Sequence, residues 1–191
     1  VAEHRRPSSG SIVYSTAWFD VVSKQVANEA APYYSLRVRD YVTVVALTQN
    51  REMVLVRQYR PAVEQHTLEL PSGHVEKNQT PEESARQELA EETGFGSSRL
   101  EFLGTLLSDT GRNENRTWCY LAADVEPLPT DWVGEEKIEV VLVPIDDVQK
   151  LILRGEFTHA LNIAALMLAI LRRKACLPSL FCPPTSSEPS R

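Results

Sequence analysis

Three glutamates, Glu88, Glu91 and Glu92, fall at relative positions 0, +3 and +4. On a helix those offsets bring the carboxylates to one face. Like charges so spaced repel by roughly 0.2–0.5 kcal/mol per exposed pair. Arg86 is the only cationic side chain between Pro81 and Thr93. A hard divalent cation turns that repulsion into coordination, and magnesium takes carboxylates together with water and substrate phosphate. The plainer alternative is a solvated glutamate-rich face, the commoner use of such a cluster.

The elements that position these residues are legible in the flanking sequence. Thr80-Pro81-Glu82-Glu83 carries three helix-start signals: a capping threonine, proline at the first helical position and a glutamate that completes a capping box. Gly94 is placed to end the helix in a left-handed conformation. The pattern predicts one helix over Pro81–Thr93, with Ala85 and Leu89 as its buried stripe. Before it, Leu68-Glu69-Leu70-Pro71-Ser72-Gly73 reads as a strand entering a Pro/Gly turn. Strand, loop and capped helix can together aim main-chain carbonyls and carboxylates at one point.

Around this unit the chain alternates between β and α patterns. Val42–Leu47 and Met53–Val56 are β-branched runs separated by Gln49-Asn50-Arg51, which predicts a hairpin. Residues 11–23 and 33–39 read as strands of an N-terminal sheet. Leu100–Leu107, Thr117–Ala122 and Ile138–Val143 continue the β pattern. One helix is expected from near Pro144 to before Gly155. Another is expected from Thr158 to about Lys174, with Leu161, Ala164, Ala165, Leu168 and Leu171 as its apolar stripe. Sheet, helix, sheet, then helices implies an α/β or α+β layered fold, a mixed sheet with helices packed on it.

The chain has 191 residues, of which 42% are hydrophobic and 24% charged. That fits one globular domain with a real core. The net charge of −6 argues against sequence-independent nucleic-acid binding. The run from Phe157 to Leu171 has too short an apolar part to span a bilayer. The basic start has no apolar segment behind it, so no signal peptide is expected. Cys119, Cys176 and Cys182 show no metal-like spacing and fit a reducing, cytoplasmic setting. Cys119 reads as ordinary strand packing. His66, His74 and His159 have no Ser or Cys partner at a recognisable spacing, so no nucleophilic triad is expected. His74 is expected to face solvent in a loop.

The stretch Gly73–Phe95, GHVEKNQTPEESARQELAEETGF, resembles the Nudix box of the Nudix hydrolases. That box reads Gly, five residues, Glu, seven residues, Arg-Glu, an aliphatic, any residue, Glu-Glu, any residue, Gly and a hydrophobic. Gly73, Glu88, Leu89, Glu91, Glu92, Gly94 and Phe95 match in register. Gln79 stands where the family has Glu, and Gln87 where it has Arg. The paired change removes two opposite charges together, so no ion is orphaned, and an amide–amide hydrogen bond can take their place.

Further segments resemble the ADP-ribose and ADP-sugar pyrophosphatase branch. They are Gln58-Tyr59-Arg60-Pro61, the turn Glu69-Leu70-Pro71-Ser72-Gly73, and Gly134-Glu135-Glu136-Lys137-Ile138-Glu139-Val140. The resemblance implies a Nudix-like α/β/α sandwich over 41–175 and a small antiparallel, dimerising sheet over 11–40. The flanks 1–10 and 176–191 are expected to be disordered. It implies metal-dependent hydrolysis of the diphosphate of a nucleoside diphosphate sugar, giving a nucleoside monophosphate and a sugar phosphate. Magnesium is the implied cofactor, with manganese able to substitute.

In site terms, Glu88 and Glu92 are the main implied ligands. Glu91 and the Ser72 carbonyl contribute. Glu136 is the implied base, with Glu135 and Glu139 as alternatives. Arg60 is implied in diphosphate or ribose recognition; the alternatives are a surface arginine or an ion pair with Glu69. Arg57 is its strand neighbour. Trp18, Tyr33 and Tyr34 are candidates for stacking on the base, and Arg112 and Arg116 for touching phosphate. A homodimer is implied. Two rival readings remain: a hydrolase of another nucleotide sugar (GDP-mannose or UDP-glucose) or of a dinucleotide, and a non-catalytic module that binds ADP-ribose as a sensor. The retained glutamates favour catalysis, and the pair Gln79 and Gln87 keeps the sensor reading open.

Overall fold

The computed structural model describes residues 10–129 and 137–172. Among these, the chain begins with a three-stranded antiparallel sheet of β1 (Ser11–Ser15), β2 (Asp20–Lys24) and β3 (Tyr33–Arg37). The run expected as strand over 11–23 is therefore two strands. The Thr16 hydroxyl makes the break: it accepts from the Trp18 and Phe19 amides at 3.0 and 2.9 Å. Such a local side-chain turn competes with the sheet ladder.

The larger sheet has eight strands. Its path runs β11 (Ile138–Pro144), β5 (Glu52–Arg60), β4 (Tyr41–Thr48), β10 (Thr117–Pro127) and β8 (Phe95–Gly96). Off this path, β6 (Gln65–Glu69) pairs with β5, β7 (Ser72–His74) with β4, and β9 (Leu100–Leu106) with β10. β10 and β4 are parallel, and the other pairs are antiparallel. The sheet is therefore mixed, as expected.

Helix α1 (Pro81–Thr93) covers one face of it. Val42, Val44, Ala46, Val54, Tyr120 and Ala122 form one core with Ala85 and Leu89 of that helix. The alternate residues Val45, Leu47, Leu55, Cys119 and Leu121 face the other way, toward α2 (Ile145–Leu153) and α3 (Ala160–Arg172). The period of two along each strand thus builds an α/β/α sandwich. Burying each Leu or Val of these cores contributes on the order of 1.5–3 kcal/mol. Cys119 is a buried free thiol among them, its pKa pushed up by burial to about 12. No helix among the described residues is long and apolar enough to cross a membrane.

The stripe expected on α3 is rotated. Its buried residues are Asn162, Ala165, Leu166 and Ala169, while Leu171 is 59% exposed. Asn162 turns inward because its Oδ1 accepts the Leu70 amide at 2.9 Å, a buried polar match that apolar patterning does not reveal.

β4 and β5 pair only over Ala46–Leu47 and Met53–Val54 and then part. The chain between β6 and β7 fills the fork. At that bend the Val44 amide donates to the Pro71 carbonyl at 3.0 Å.

The N-terminal sheet is tied to the sandwich through β3 and the 109–116 loop. Leu36 N donates to Arg112 O at 2.7 Å, and Glu114 N donates to Leu36 O at 2.9 Å. The Glu114 carboxylate accepts from Ser35 Oγ at 2.6 Å and Arg37 Nε at 3.0 Å, and pairs with Lys24. Burial pushes this carboxyl upward, but Lys24, Ser35 and Arg37 outweigh it and hold it at about 2. Its folded value lies below its ordinary one, so its contribution is present above pH 4.5 and lost as pH falls toward 2. Glu114→Gln should lower the hydrogen-exchange protection of β3 amides at pH 7 and leave β4 unchanged. Acidifying the wild type from pH 5 to about 2 should do the same. Equal protection in the variant and the wild type would show that Glu114 does not hold the sheet.

Candidate active site

α1 forms as its ends dictate. Thr80 Oγ1 accepts the Glu83 amide at 3.2 Å, and the Glu83 carboxylate accepts the Thr80 amide at 2.7 Å, closing the capping box. Gly94 ends the helix at φ 70° and donates to Ala90 O at 2.9 Å.

The helix lays its acidic face against the β6–β7 bend. Glu92, only 7% exposed, accepts the Ser72 amide on Oε2 at 2.9 Å. Glu88 lies over Gly73 so closely that a Cβ there would overlap its carboxylate. Glycine at 73 leaves room for that carboxylate, which a side chain there would push aside. Glu91 is exposed and accepts from Gln87 Nε2 at 2.8 Å.

The two departures from the box meet each other. Gln79 Nε2 donates to Gln87 Oε1 at 2.7 Å, and Ser84 Oγ donates to Gln79 Oε1 at 2.7 Å. Ser84 Oγ in turn accepts the Glu76 amide at 3.1 Å. A neutral relay thus runs from the loop through both glutamines to Glu91.

Beside the bend, in the fork between β4 and β5, lies a cavity of about 530 Å³. Ser72 lines it, together with Tyr41, Arg60 and Glu69. Glu69 is 2% exposed and holds Arg60 in a two-point bond, Nε to Oε1 at 2.8 Å and Nη2 to Oε2 at 2.6 Å. Thr67 Oγ1 adds a bond to Oε1 at 2.6 Å. Burial pushes the Glu69 carboxyl up, but the Arg60 and Thr67 bonds outweigh it and leave it below the ordinary range. The same bond raises Arg60. Of the alternatives for Arg60, the structure shows the ion pair with Glu69. That pair places the guanidinium on the cavity wall, fixed in direction. Tyr41 is raised, first by burial and then by Glu88, Glu69 and Glu92, against the pull of Arg60. Tyr41 therefore stands within the field of both the acidic ridge and the cavity.

Other expected residues lie apart from the cavity. Trp18 sits in the β1–β2 turn, 74% exposed, and not in a strand. Tyr34 is 54% exposed on β3. Tyr33 donates its hydroxyl to Gly111 O. Arg112, 4.0 Å from Asp109, is exposed on the loop below the N-terminal sheet. Arg116 is exposed too; its amide donates to Asp40 Oδ1 at 2.9 Å. His74 is not a solvent-facing loop residue. It is paired with Tyr41 across β4 and β7, edge-on to its ring, and its pKa is lowered by burial and by Arg39. Glu139 lies exposed on β11, 3.6 Å from Arg57. Glu135 and Glu136 lie outside the described residues.

Sequence reasoning missed Asn162, His159 and Thr117, which line the cavity from α3 and β10. No local signal marks them, since their partners are far away in the chain.

The donor set of the ridge is all hard oxygen, which suits magnesium or manganese. Among the described residues no three acidic, histidine or cysteine side chains are grouped so as to hold a metal ion by themselves. Magnesium needs none, because it is commonly held by one or two carboxylates with water and phosphate. The Glu88 and Glu92 carboxylates rest on adjacent residues of one main-chain bend, and this is the observation that fits such a cation.

The class of protein follows from this layered sandwich, with its acidic helix seated on a strand bend beside a cavity. The NUDIX domain family matches residues 37–165, and the chain belongs to the Nudix family. It is similar to the ADP-ribose pyrophosphatase of Bacillus subtilis (strain 168), 30% identical over 113 residues, which are 58% of this chain and 61% of that protein. It is also similar to the ADP compounds hydrolase NudE of Escherichia coli (strain K12), 27% identical over 130 residues, 68% of this chain and 69% of that one. The chain thus spans between about three-fifths and two-thirds of these two relatives. A crystal structure of an ADP compounds hydrolase shares the fold with TM-score 0.74 and 23% identity, covering 90% of this chain and 95% of that one.

Gly73→Ala should push the Glu88 carboxylate off the bend. The carboxylate is the far end of a flexible side chain and can swing aside, so the expected stability cost is small, within about 0.5–1 kcal/mol, and the displacement is read from the Glu88 carboxyl carbon shift. An unchanged carboxyl shift would mean that Glu88 does not rest there.

Proposed function

We propose that this chain is a metal-dependent hydrolase of nucleoside diphosphate sugars, with ADP-ribose or another ADP-sugar as substrate. The products are AMP and a sugar phosphate. One P–O bond of the P–O–P bridge breaks, the hydroxyl of water joins the attacked phosphorus, and a proton goes to the leaving phosphate. The observation that carries this reading is the Nudix box seated on the β6–β7 bend, with Glu92 bonded to Ser72 N and Glu88 over Gly73.

Glu88, Glu92 and Glu91, with the Ser72 carbonyl, are the residues that would hold magnesium or manganese. Such an ion, when bound, neutralises diphosphate charge and lowers the pKa of water. The Ser72 amide and the Gln79–Gln87 relay keep the carboxylates oriented before substrate arrives. Arg60, aimed by Glu69, offers its remaining N–H donors to phosphate or sugar oxygens. Glu136 serves as base in this reading.

The exposed aromatic residues of the N-terminal sheet, Tyr14, Trp18 and Tyr34 among them, support a homodimer through that sheet. In that assembly Trp18 and Tyr34 stack on the base. The buried free thiol of Cys119 suits a reducing, cytoplasmic compartment.

A panel of nucleoside diphosphate compounds with magnesium, followed by release of phosphate through a coupled phosphatase, tests the reading. ADP-ribose should be turned over, chelation of the metal should stop it, and Glu92→Gln should cut the rate by at least about 100-fold. The amide can still accept the Ser72 bond, so the loss would report charge and not geometry. Tight binding without turnover would favour the sensor reading, which the two glutamines motivate. Glu136→Gln should lower kcat about 100-fold and leave manganese affinity unchanged; undiminished turnover would move the base to Glu135 or elsewhere.

A further inference from the structure

His159 stands at the N-terminus of α3, where its carbonyl accepts the Ile163 amide at 3.0 Å. Its ring also caps the helix, because Nδ1 accepts the Asn162 amide at 3.3 Å. An acceptor Nδ1 carries no hydrogen, so in the neutral ring the proton is on Nε2. The cap therefore fixes the tautomer and leaves the Nε2–H donor without a hydrogen-bond partner among the described residues. His159 lines the cavity that also holds Ser72, Arg60 and Glu69.

A second observation points to a ligand there. Thr117, which lines the same cavity, is 2% exposed, and its Oγ1 has no hydrogen-bond partner among the described residues. A buried hydroxyl left unpaired is costly unless something else completes it. The charges of the wall are already matched, since Arg60 and Glu69 pair with each other. Much of the remainder is apolar, from Ala62, Val63 and Leu161, while the polar groups of Thr43, Asn115 and Asn162 are already hydrogen-bonded within the protein. A mainly apolar wall with a few placed polar groups, the His159 ring and the Thr117 hydroxyl among them, suits the face of an uncharged ring that carries hydroxyls.

We propose that His159 is a specificity-determining residue whose Nε2–H donates to a hydroxyl of the sugar beyond the diphosphate, and that this cavity seats that sugar. The inference rests on the nucleoside diphosphate sugar reading and adds the residue and the end of the substrate it holds. Glu69 lies within electrostatic reach of His159, but its oxygens are occupied by Arg60 and Thr67. The donor is thus left for the ligand.

His159→Asn separates this role from capping, because asparagine is itself a strong N-cap. Binding is measured by calorimetry with magnesium, using ADP-ribose whose bridging P–O–P oxygen is replaced by methylene, so that turnover does not interfere. The probe without a sugar is ADP with the same replacement. The expected result is about tenfold weaker binding of the sugar-bearing probe to His159→Asn, with ADP binding and the thermal midpoint unchanged. The imidazole nitrogen shifts of the wild type should report the Nε2–H tautomer.

Equal affinity of variant and wild type for the sugar-bearing probe overturns the proposal, as does an Nδ1–H signature. Equal weakening of both probes also overturns it, by placing the contact on phosphate. If the wild type binds neither probe, the nucleotide-sugar reading itself fails, an outcome distinct from the others.

Discussion

Two backbone amides at one bend govern the site. Between β6 and β7, the Leu70 N–H is taken by Asn162 of α3 and the Ser72 N–H by Glu92 of α1. The carbonyl of Pro71, between them, is bonded by Val44 of the central strand. A chain that leaves one strand pairing for another must satisfy its main-chain groups in passing. Here the helices on opposite faces of the sheet do so with side chains. The bend is thereby fixed relative to both layers, and the residues that follow it open the Nudix box. A shift of either helix would move Ser72 and Gly73, and with them the resting places of Glu92 and Glu88.

Electrostatics around the bend divides into two parts with different purposes. On the cavity side, Glu69 is buried and spends its charge on Arg60 and a hydroxyl. Such a pair gains little stability over an apolar one but is costly to break, so it fixes the direction of the arginine. On the helix side, the carboxylates are held by neutral donors: the Ser72 amide for Glu92 and the Gln87 amide for Glu91. Hydrogen bonds from neutral groups orient a carboxylate without cancelling its charge. The first arrangement suits a group that must point, and the second suits groups that must attract a cation.

What the sequence made legible follows the range of each interaction. α1 was readable to its ends because Thr80, Pro81, Glu83 and Gly94 act within one turn of where they stand. The strands of the sandwich were readable because alternation is local, and so was the Gln79–Gln87 bond, since two matched departures point at each other. The break at Thr16–Phe19 was not readable, because strand propensity carries through it and one hydroxyl decides otherwise. The α3 stripe was placed one face away, since Asn162 answers an amide 92 residues distant. Glu114 read as part of a polar loop, yet its partners Lys24, Ser35 and Arg37 make it the anchor of the N-terminal sheet. The cavity wall is drawn from β4, β6, β10 and α3, and no window of sequence contains it.

The two glutamines bear directly on whether such a site turns substrate over. A charged pair at these positions would bring a cation next to the acidic ridge, and part of its field would fall on Glu91. The amide of Gln87 supplies the same kind of bond at 2.8 Å with no compensating positive charge. Gln79, fixed by Ser84, keeps that amide from rotating, since its own Nε2 engages Gln87 Oε1. Direction is preserved, and neither glutamine adds a positive charge beside the ridge. A hydrolase loses metal-dependent chemistry when its ligands are removed or misaimed, and this relay does neither to Glu91. The substitution therefore removes charges from the support of the ridge and keeps its three glutamates, which favours the proposed hydrolase over the sensor reading.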